Sequence, residues 1–146
     1  MIIADSMLGK LARYLRIIGY DVKYIEKDKD DSYIISISEN NLILTRDKLL
    51  HGKLKNSVLI ESHDSERQLA ELKGALPAPE HRLMELCSIC GHSLESVENG
   101  LELPEYVNKD AKQIFRCNSC KRYYWNGSHM ENFRKMVERV GFEIHD

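Results

Sequence analysis

Four cysteines form two C-x-x-C pairs, and this spacing is typical of a metal site. The pairs are separated by 26 residues. Each pair can form a knuckle that points two thiolates at one ion, and four thiolates are common ligands of structural Zn²⁺. Four protein ligands leave no position for a reactive water, so we predict a zinc ion that stabilises a small lobe. Free thiols or disulfides are the alternatives. The predicted ligands are Cys87, Cys90, Cys117 and Cys120.

A second group of reactive residues consists of aspartates that follow short apolar runs. Asp5 follows the run 1–4, and Asp47 comes shortly after the run 42–45. If both runs are neighbouring strands of a parallel sheet, the two acids lie at the edge where such sheets bind ligands. Close carboxylates repel unless a cation lies between them, and their oxygens suit Mg²⁺ or Mn²⁺. A cation held there can activate water for phosphodiester hydrolysis.

An ordinary structural role competes with this interpretation at each of the acids. An aspartate between a strand and a helix is commonly the N-cap of that helix. Asp5 and Asp47 can both be explained in this way, although their equivalent positions favour a shared site. Asp31 lies in an acidic loop that can simply be a solvated turn. Asp64 is explained by an ordinary N-cap before the next helix.

Basic side chains accompany the acids in the sequence. Lys10, Arg13 and Arg16 recur at intervals of three residues on the first predicted helix, and Arg46 directly precedes Asp47. We interpret these four cations as candidate phosphate contacts, with Arg16 and Arg46 alternatively fixing the carboxylates. A solvated helix face is the competing explanation.

Basic and aromatic residues also mix around the second cysteine pair. Arg122 and Tyr123 are predicted RNA contacts, because the unpaired bases of single-stranded RNA stack on aromatic rings. The same aromatic side chains can instead form the core of the small lobe or its contact with the rest of the chain. For Trp125 we favour this second explanation.

Apolar periodicity predicts strands that alternate with helices through the first half of the chain. Ser6 is predicted to cap the first helix and Gly19 to end it. This alternation predicts an α/β fold with a parallel sheet and helices on both faces. A last helix is predicted between the capping box Ser128-x-x-Glu131 and Gly141. The predicted strands are 1–4, 21–25, 42–45 and 58–60, and the helices between them are 7–18, 32–39 and 48–54, with another from 64 onward.

The segment Pro77-Ala78-Pro79 is the clearest linker, and it predicts domains at 1–80 and 81–146. Net charge is −2 and neither half is basic overall, so any contact with nucleic acid must come from a local patch. No apolar run approaches the roughly 20 residues of a membrane span. Together with the cysteine spacing, this predicts a soluble protein in a reducing, cytoplasmic compartment.

Several of these patterns together resemble a known family. They are D-x-M-L-G-x-L-A-x-x-L-R at 5–16, L-T-R-D at 44–47, Q-L at 68–69 and, after the cysteine pairs, Y-W-x-G-S-H at 124–129. In this order they resemble the PIN-like ribonuclease family first described as the C-terminal domain of Mut-seven exonucleases. The resemblance covers nearly the whole chain. Leu86 and Gly91 depart from it, since the family often has Arg and Asn there.

The resemblance implies a PIN-like nuclease domain at 1–80, followed by a zinc ribbon with a C-terminal helix at 81–146. It implies a metal-dependent ribonuclease that acts on RNA at a cluster of acids. Asp5 and Asp47 match the family's best-defined acidic positions, and Asp31 fits an intermediate acid, with Asp30 adjacent. Asp64 is only a candidate for a fourth acid. Two alternatives remain. One is a non-catalytic RNA- or protein-binding zinc-ribbon module, and the other is a toxin-like nuclease, against which the extra ribbon argues.

Overall fold

The computed structural model describes residues 1–98 and 102–146. Its first part is built on a parallel sheet with the strand order β2-β1-β3-β4. The register places Ala4 beside Tyr24 on one side and beside Leu44 on the other. The α/β prediction is therefore confirmed. The strands are β1 (Ile2–Ala4), β2 (Val22–Tyr24), β3 (Leu42–Thr45) and β4 (Ser57–Leu59).

Four helices alternate with these strands, as predicted, and together they form the sheet lobe. The start of the first helix differs from the prediction. It begins at Gly9 after Leu8, so Ser6 is not its N-cap. The residues before it form a turn in which the N–H of Met7 donates to the Asp5 carboxylate and the N–H of Leu8 donates to the Asp5 carbonyl. The helices are α1 (Gly9–Ile18), α2 (Asp31–Ile37), α3 (Lys48–Lys53) and α4 (Ser65–Glu71).

Strand alternation divides the buried side chains into two clusters, one on each face of the sheet. Ile2 and Ala4 belong to a cluster with the apolar faces of α1 and α4, whereas Ile3 belongs to a second cluster with residues of α2 and α3. Helices thus cover both faces, which leaves the strand ends as the accessible edges.

A small antiparallel sheet follows, and with the two cysteine pairs it forms the ribbon. Its strands are β5 (Leu94–Ser96), β6 (Ile114–Cys117) and β7 (Tyr123–Trp125), in that order across the sheet. The last helix, α5 (Ser128–Val140), has Gly127 as its N-cap, so the predicted capping box is wrong. This helix packs on the sheet lobe, where Phe133 meets Tyr14 edge to face with ring centroids 5.1 Å apart. The boundary at residue 80 stays a prediction.

The segment between the two parts is packed against the sheet lobe. The Tyr20 hydroxyl donates to the Pro77 carbonyl at 2.6 Å. Gly19 has a φ of +124°, and a Cβ at this position would overlap the carbonyl oxygen of His81. None of the helices in the described ranges combines the length and apolar content that crossing a membrane requires.

Candidate active site and metal centre

The Asp5 carboxylate lies at the carboxyl edge of the sheet, directly after β1, and the residue is 6 % exposed. Its Oδ2 accepts hydrogen bonds from the Thr45 hydroxyl at 2.6 Å and from the Arg46 N–H at 3.2 Å. Oδ1 accepts the Met7 N–H at 3.0 Å. Three donors satisfy a buried charge that would otherwise be costly.

Thr45 connects the two principal acids. It ends β3, the neighbour of β1 in the sheet, and it is fully buried. Its hydroxyl donates to Asp5 and accepts the N–H of Asp47 at 3.0 Å. The two strands are therefore adjacent, as a shared site requires, and one side chain links Asp5 to the backbone of Asp47.

Asp47 also has the capping role that the sequence offered as the alternative. Its Oδ1 accepts two free N–H groups in the first turn of α3, at 3.0 and 3.1 Å. Asp30 caps α2 at 2.9 Å and Asp64 caps α4 at 3.1 Å in the same way. Asp5 differs from all three, because α1 has Leu8 as its N-cap.

Asp31 is the first residue of α2 and is exposed, whereas its neighbour Asp30 makes the cap. Within residues 1–98 and 102–146, two groups of three or more metal-ligating side chains have ligand atoms that all lie within 4.8 Å. One is the four cysteines and the other is Asp21, Glu80 and His81 beside the linker. The structure therefore links Asp5 with Asp47 but does not gather Asp31 into a compact group with them.

A structured loop after β4 completes this edge of the sheet. Nη2 of Arg46 lies 2.8 Å from Nδ1 of His63 in that loop. Glu71 of α4 accepts the N–H groups of Glu61 and Ser62, both at 3.0 Å. Burial raises the pKa of Glu71, but these two hydrogen bonds lower it more, so its net pKa lies below the usual value. The loop is thus fixed next to Arg46.

The interpretation of Arg16 as a phosphate contact is wrong. It is 7 % exposed, its Nε donates to the Val22 carbonyl at 3.0 Å, and its Nη1 donates to the carbonyls of Ser88 and Ile89 at 3.2 and 2.8 Å. Burial lowers the pKa of its guanidinium, and the nearby Cys90 and Cys87 oppose this shift. Arg16 ties α1 and β2 to the first cysteine knuckle and is not free to contact a substrate.

The other predicted cations remain accessible. Lys10 and Arg13 are exposed on α1, with Nζ of Lys10 5.7 Å from the centre of the Tyr14 ring. Arg13 lines the same cavity as Arg122 and Tyr123 of the ribbon. The structure therefore brings the helix and ribbon residues to one surface.

The four cysteine Sγ atoms converge between the two knuckles of the ribbon. All lie within 4.8 Å of one another, with Cys87 and Cys120 3.6 Å apart and Cys90 and Cys117 3.4 Å apart. A tetrahedron with metal–sulfur bonds of about 2.3 Å has edges of about 3.8 Å. The cysteines are free thiols rather than disulfides. This donor set fits a tetrahedral metal ion.

A family model described as the Mut7-C RNAse domain matches residues 1–137. The chain belongs to this family. The match confirms the resemblance seen in the sequence and assigns a nuclease type to the chain, with RNA as the implied substrate. No curated protein and no solved structure matches the chain.

The electrostatics of the cysteine cluster in this Mut7-C chain favour a bound cation. Burial raises the pKa of the Cys87 thiol, but hydrogen bonds with the Tyr124 hydroxyl and with backbone amides of the knuckle lower it to about 7. Burial and the neighbouring thiols raise the pKa of Cys90 to about 12. Four thiolates at this range repel one another, and a divalent cation removes that repulsion.

Sequence reasoning missed two residues of these Mut7-C sites. Thr45 enters the sequence analysis as the end of a strand and as part of the L-T-R-D pattern, and its hydroxyl, which lies between the two acids, is the signal that could have suggested its role as a link. Tyr124, whose hydroxyl lies 3.0 Å from Sγ of Cys87, could be found from the alternation of β7, which turns it away from Tyr123 and Trp125.

Proposed function

We propose that the chain is a metal-dependent ribonuclease that hydrolyses phosphodiester bonds of single-stranded RNA at the carboxyl edge of its sheet. One observation carries the proposal within the Mut7-C family. Asp5 and Asp47 follow adjacent parallel strands, and the Thr45 hydroxyl links them. Such an edge is where ligands of parallel sheets bind.

Asp5 and Asp47 are the proposed ligands of a catalytic Mg²⁺ or Mn²⁺, with Asp31 as a third acid. Within the described ranges, the hydrogen bonds of the Asp47 carboxylate fall on Oδ1, which leaves the lone pairs of Oδ2 for a cation. Carboxylate oxygens are the ligands that these ions prefer. When bound, such an ion lowers the pKa of a coordinated water and stabilises the leaving oxygen of a phosphodiester.

The protein's own residues orient the acids and receive the substrate. The Thr45 hydroxyl and the Arg46 N–H fix Oδ2 of Asp5, so the carboxylate is held before any substrate arrives. Lys10 and Arg13 are exposed and lie on the helix that follows Asp5, where they can neutralise phosphates. Arg46 is a further proposed phosphate contact at the same edge.

The metal of the cysteine cluster is proposed to be Zn²⁺ in a structural role. Four thiolates in two knuckles are typical zinc ligands and leave no open coordination position. The ribbon has few large apolar side chains, so the metal would supply folding energy that its core lacks. Cysteines that converge on a metal site rather than form disulfides also support our proposal that the protein functions in the cytoplasm.

The test compares cleavage of labelled single-stranded RNA in Mn²⁺ by the wild type, Asp47→Asn and Asp64→Asn. Asparagine still caps a helix, so both variants keep their folds. We expect Asp47→Asn to cleave at least about tenfold more slowly and to bind Mn²⁺ more weakly, measured by electron paramagnetic resonance. Asp64→Asn is the matched control and should cleave like the wild type. Equal rates for all three proteins, or no cleavage with either ion, would overturn the proposal.

A non-catalytic binding module is the second candidate, and one observation favours it. Asp30, Asp47 and Asp64 each cap a helix, so capping alone explains much of the acidic pattern. This candidate predicts RNA binding that Asp47→Asn leaves intact and no cleavage by the wild type in Mg²⁺ or Mn²⁺. The same experiment therefore separates the two candidates.

A further inference from the structure

Two adjoining cavities form a groove between α1 and the ribbon, which we name the helix–ribbon groove. One cavity, of about 580 Å³, extends along α1 past Gly9 and Lys10. The other, of about 360 Å³, lies against β7 and the start of α5. Arg13, Ser88 and Ile89 line both, so the two cavities adjoin along these residues.

The groove differs in charge from the rest of the surface. Among the described residues, no Asp or Glu lines either of its cavities, although the chain has 23 acidic residues. Three other surface cavities each include at least one acid. Lys10, Arg13 and Arg122 line the groove and are exposed. A nearly neutral protein thus presents a local positive strip, which suits a polyanion.

Aromatic rings line the ribbon end of the groove. Tyr123 and Trp125 alternate with Tyr124 along β7, so their side chains lie on one face of the ribbon sheet and that of Tyr124 lies on the opposite face. Tyr106, from the loop before β6, lies over them with ring centroids 6.5 Å from Tyr123 and 6.2 Å from Trp125. Tyr106 is 52 % exposed, and its hydroxyl accepts the N–H of Tyr123 at 3.0 Å. These three rings are the aromatic platform.

We propose that the helix–ribbon groove binds single-stranded RNA, with a base stacked on the aromatic platform and phosphates on Arg13 and Lys10. Positive side chains beside exposed rings are the combination that binds unpaired strands, because every base has a face that can stack. This inference rests on the proposed ribonuclease function and adds the path of its substrate. It also assigns Trp125, for which the sequence favoured a structural role, to the aromatic platform.

The groove also leads toward the acids. Tyr24 lines it next to Gly9, and the Tyr24 hydroxyl donates to the Ser6 carbonyl at 2.7 Å. Ser6 directly follows Asp5. A strand anchored at the platform can therefore pass along α1 and present a phosphodiester to the carboxyl edge of the sheet.

Trp125 supplies a direct test because it is the only tryptophan of the chain. The zinc-loaded protein is titrated with a short oligouridylate, as a single strand and as a duplex with oligoadenylate, without added Mg²⁺ or Mn²⁺. We expect the single strand to quench Trp125 fluorescence to saturation, and the duplex to bind at least about fivefold more weakly. Absent quenching, or equal quenching by the duplex, would overturn the proposal.

Variants separate phosphate contacts from stacking. Arg13→Ala should bind the single strand more weakly and lower the slope of log affinity against log salt by about 0.7, whereas Arg67→Ala, an exposed arginine outside the groove, should match the wild type. Tyr106→Ala should weaken binding at least about fivefold and Tyr106→Phe should not. If Tyr106→Phe loses as much, the bond to the Tyr123 N–H is responsible and stacking on Tyr106 is overturned.

The outcomes distinguish this proposal from the ribonuclease proposal. Quenching by RNA without cleavage in Mn²⁺ would contradict the ribonuclease proposal and support the groove as a binding site. Cleavage in Mn²⁺ that is unaffected by Arg13→Ala and Tyr106→Ala, with no quenching, would sink the groove and leave the ribonuclease.

Discussion

The cysteine cluster and the acidic edge of the sheet are two sets of metal-ligating residues that the chain assembles differently. The four Sγ atoms all lie within 4.8 Å of one another. The acids instead follow separate strands, and Asp47 also caps a helix. The cysteine cluster therefore has all four ligands of a metal ion in place. At the acidic edge, the Thr45 hydroxyl links the Asp5 carboxylate to the backbone of Asp47.

The difference follows from how each set is brought together. In each knuckle the thiolates are three residues apart, so local turns fix their positions, and one antiparallel sheet joins the two turns. The acids meet only if β1 and β3 pair across about 40 residues of chain, and Asp47 also has a local role as the cap of α3. Local geometry therefore specifies the first site, and tertiary structure specifies the second.

The largest expected effect is the loss of one cysteine ligand. Cys117→Ser should lower bound zinc from about one equivalent to well below half, because a serine hydroxyl is a poor replacement for a thiolate. Structural zinc contributes on the order of 10 kcal/mol to such domains, so the ribbon should unfold. Metal analysis and the amide spectrum of the ribbon check this. Ser119→Ala, in the same knuckle, is the control, and full zinc retention in Cys117→Ser would contradict the assignment.

Arg16 connects the sheet lobe to the first cysteine knuckle, and its removal should have the next largest effect on stability. Arg16→Met keeps the apolar stem but leaves the carbonyls of Val22, Ser88 and Ile89 without their donor. Since each unsatisfied buried group costs about 1–3 kcal/mol, we expect the free energy of unfolding to fall by about 3 kcal/mol. Urea denaturation measures it. Arg13→Met, one turn earlier on the exposed face, should change it by less than about 0.5 kcal/mol.

The role of Arg16 also marks where sequence reasoning stops. Its spacing from Lys10 and Arg13 is helical, and nothing local indicates that a knuckle 72 residues later covers it. The strands, the helix α2 and the cysteine site were predictable, because each depends on short-range patterns of apolar residues, caps or ligands. The start of α1 was not, because a turn in which Asp5 accepts the N–H groups of Met7 and Leu8 comes before the helix and moves its N-cap from Ser6 to Leu8.

The contact of Tyr20 with the linker between the sheet lobe and the ribbon should make the stability of the protein sensitive to alkaline pH. Burial of Tyr20, followed by the negative charge of Glu143, raises the pKa of its hydroxyl to about 12 from 10. Between these values the unfolded chain loses the proton while the folded chain keeps it, so stability is full below pH 10 and falls as pH rises. Relative to Tyr20→Phe, the wild type should lose about 2–3 kcal/mol by pH 12. Parallel unfolding curves for both proteins across this interval would contradict the assignment.

The smallest expected effect tests the single link at the acidic edge. Thr45→Val keeps the shape of the side chain but removes the hydroxyl that donates to the Asp5 carboxylate and accepts the N–H of Asp47. We expect a loss of about 1–2 kcal/mol in the free energy of unfolding, measured in urea. Thr45→Ser keeps the hydroxyl and is the matched control. If the link only stabilises the fold, RNA cleavage by Thr45→Val should equal that of the control once both are folded. If the link aligns the acids, Thr45→Val should cleave more slowly than Thr45→Ser at equal folded fraction. That result would show that the acidic edge, like the cysteine cluster, is a site whose ligands the fold holds in place.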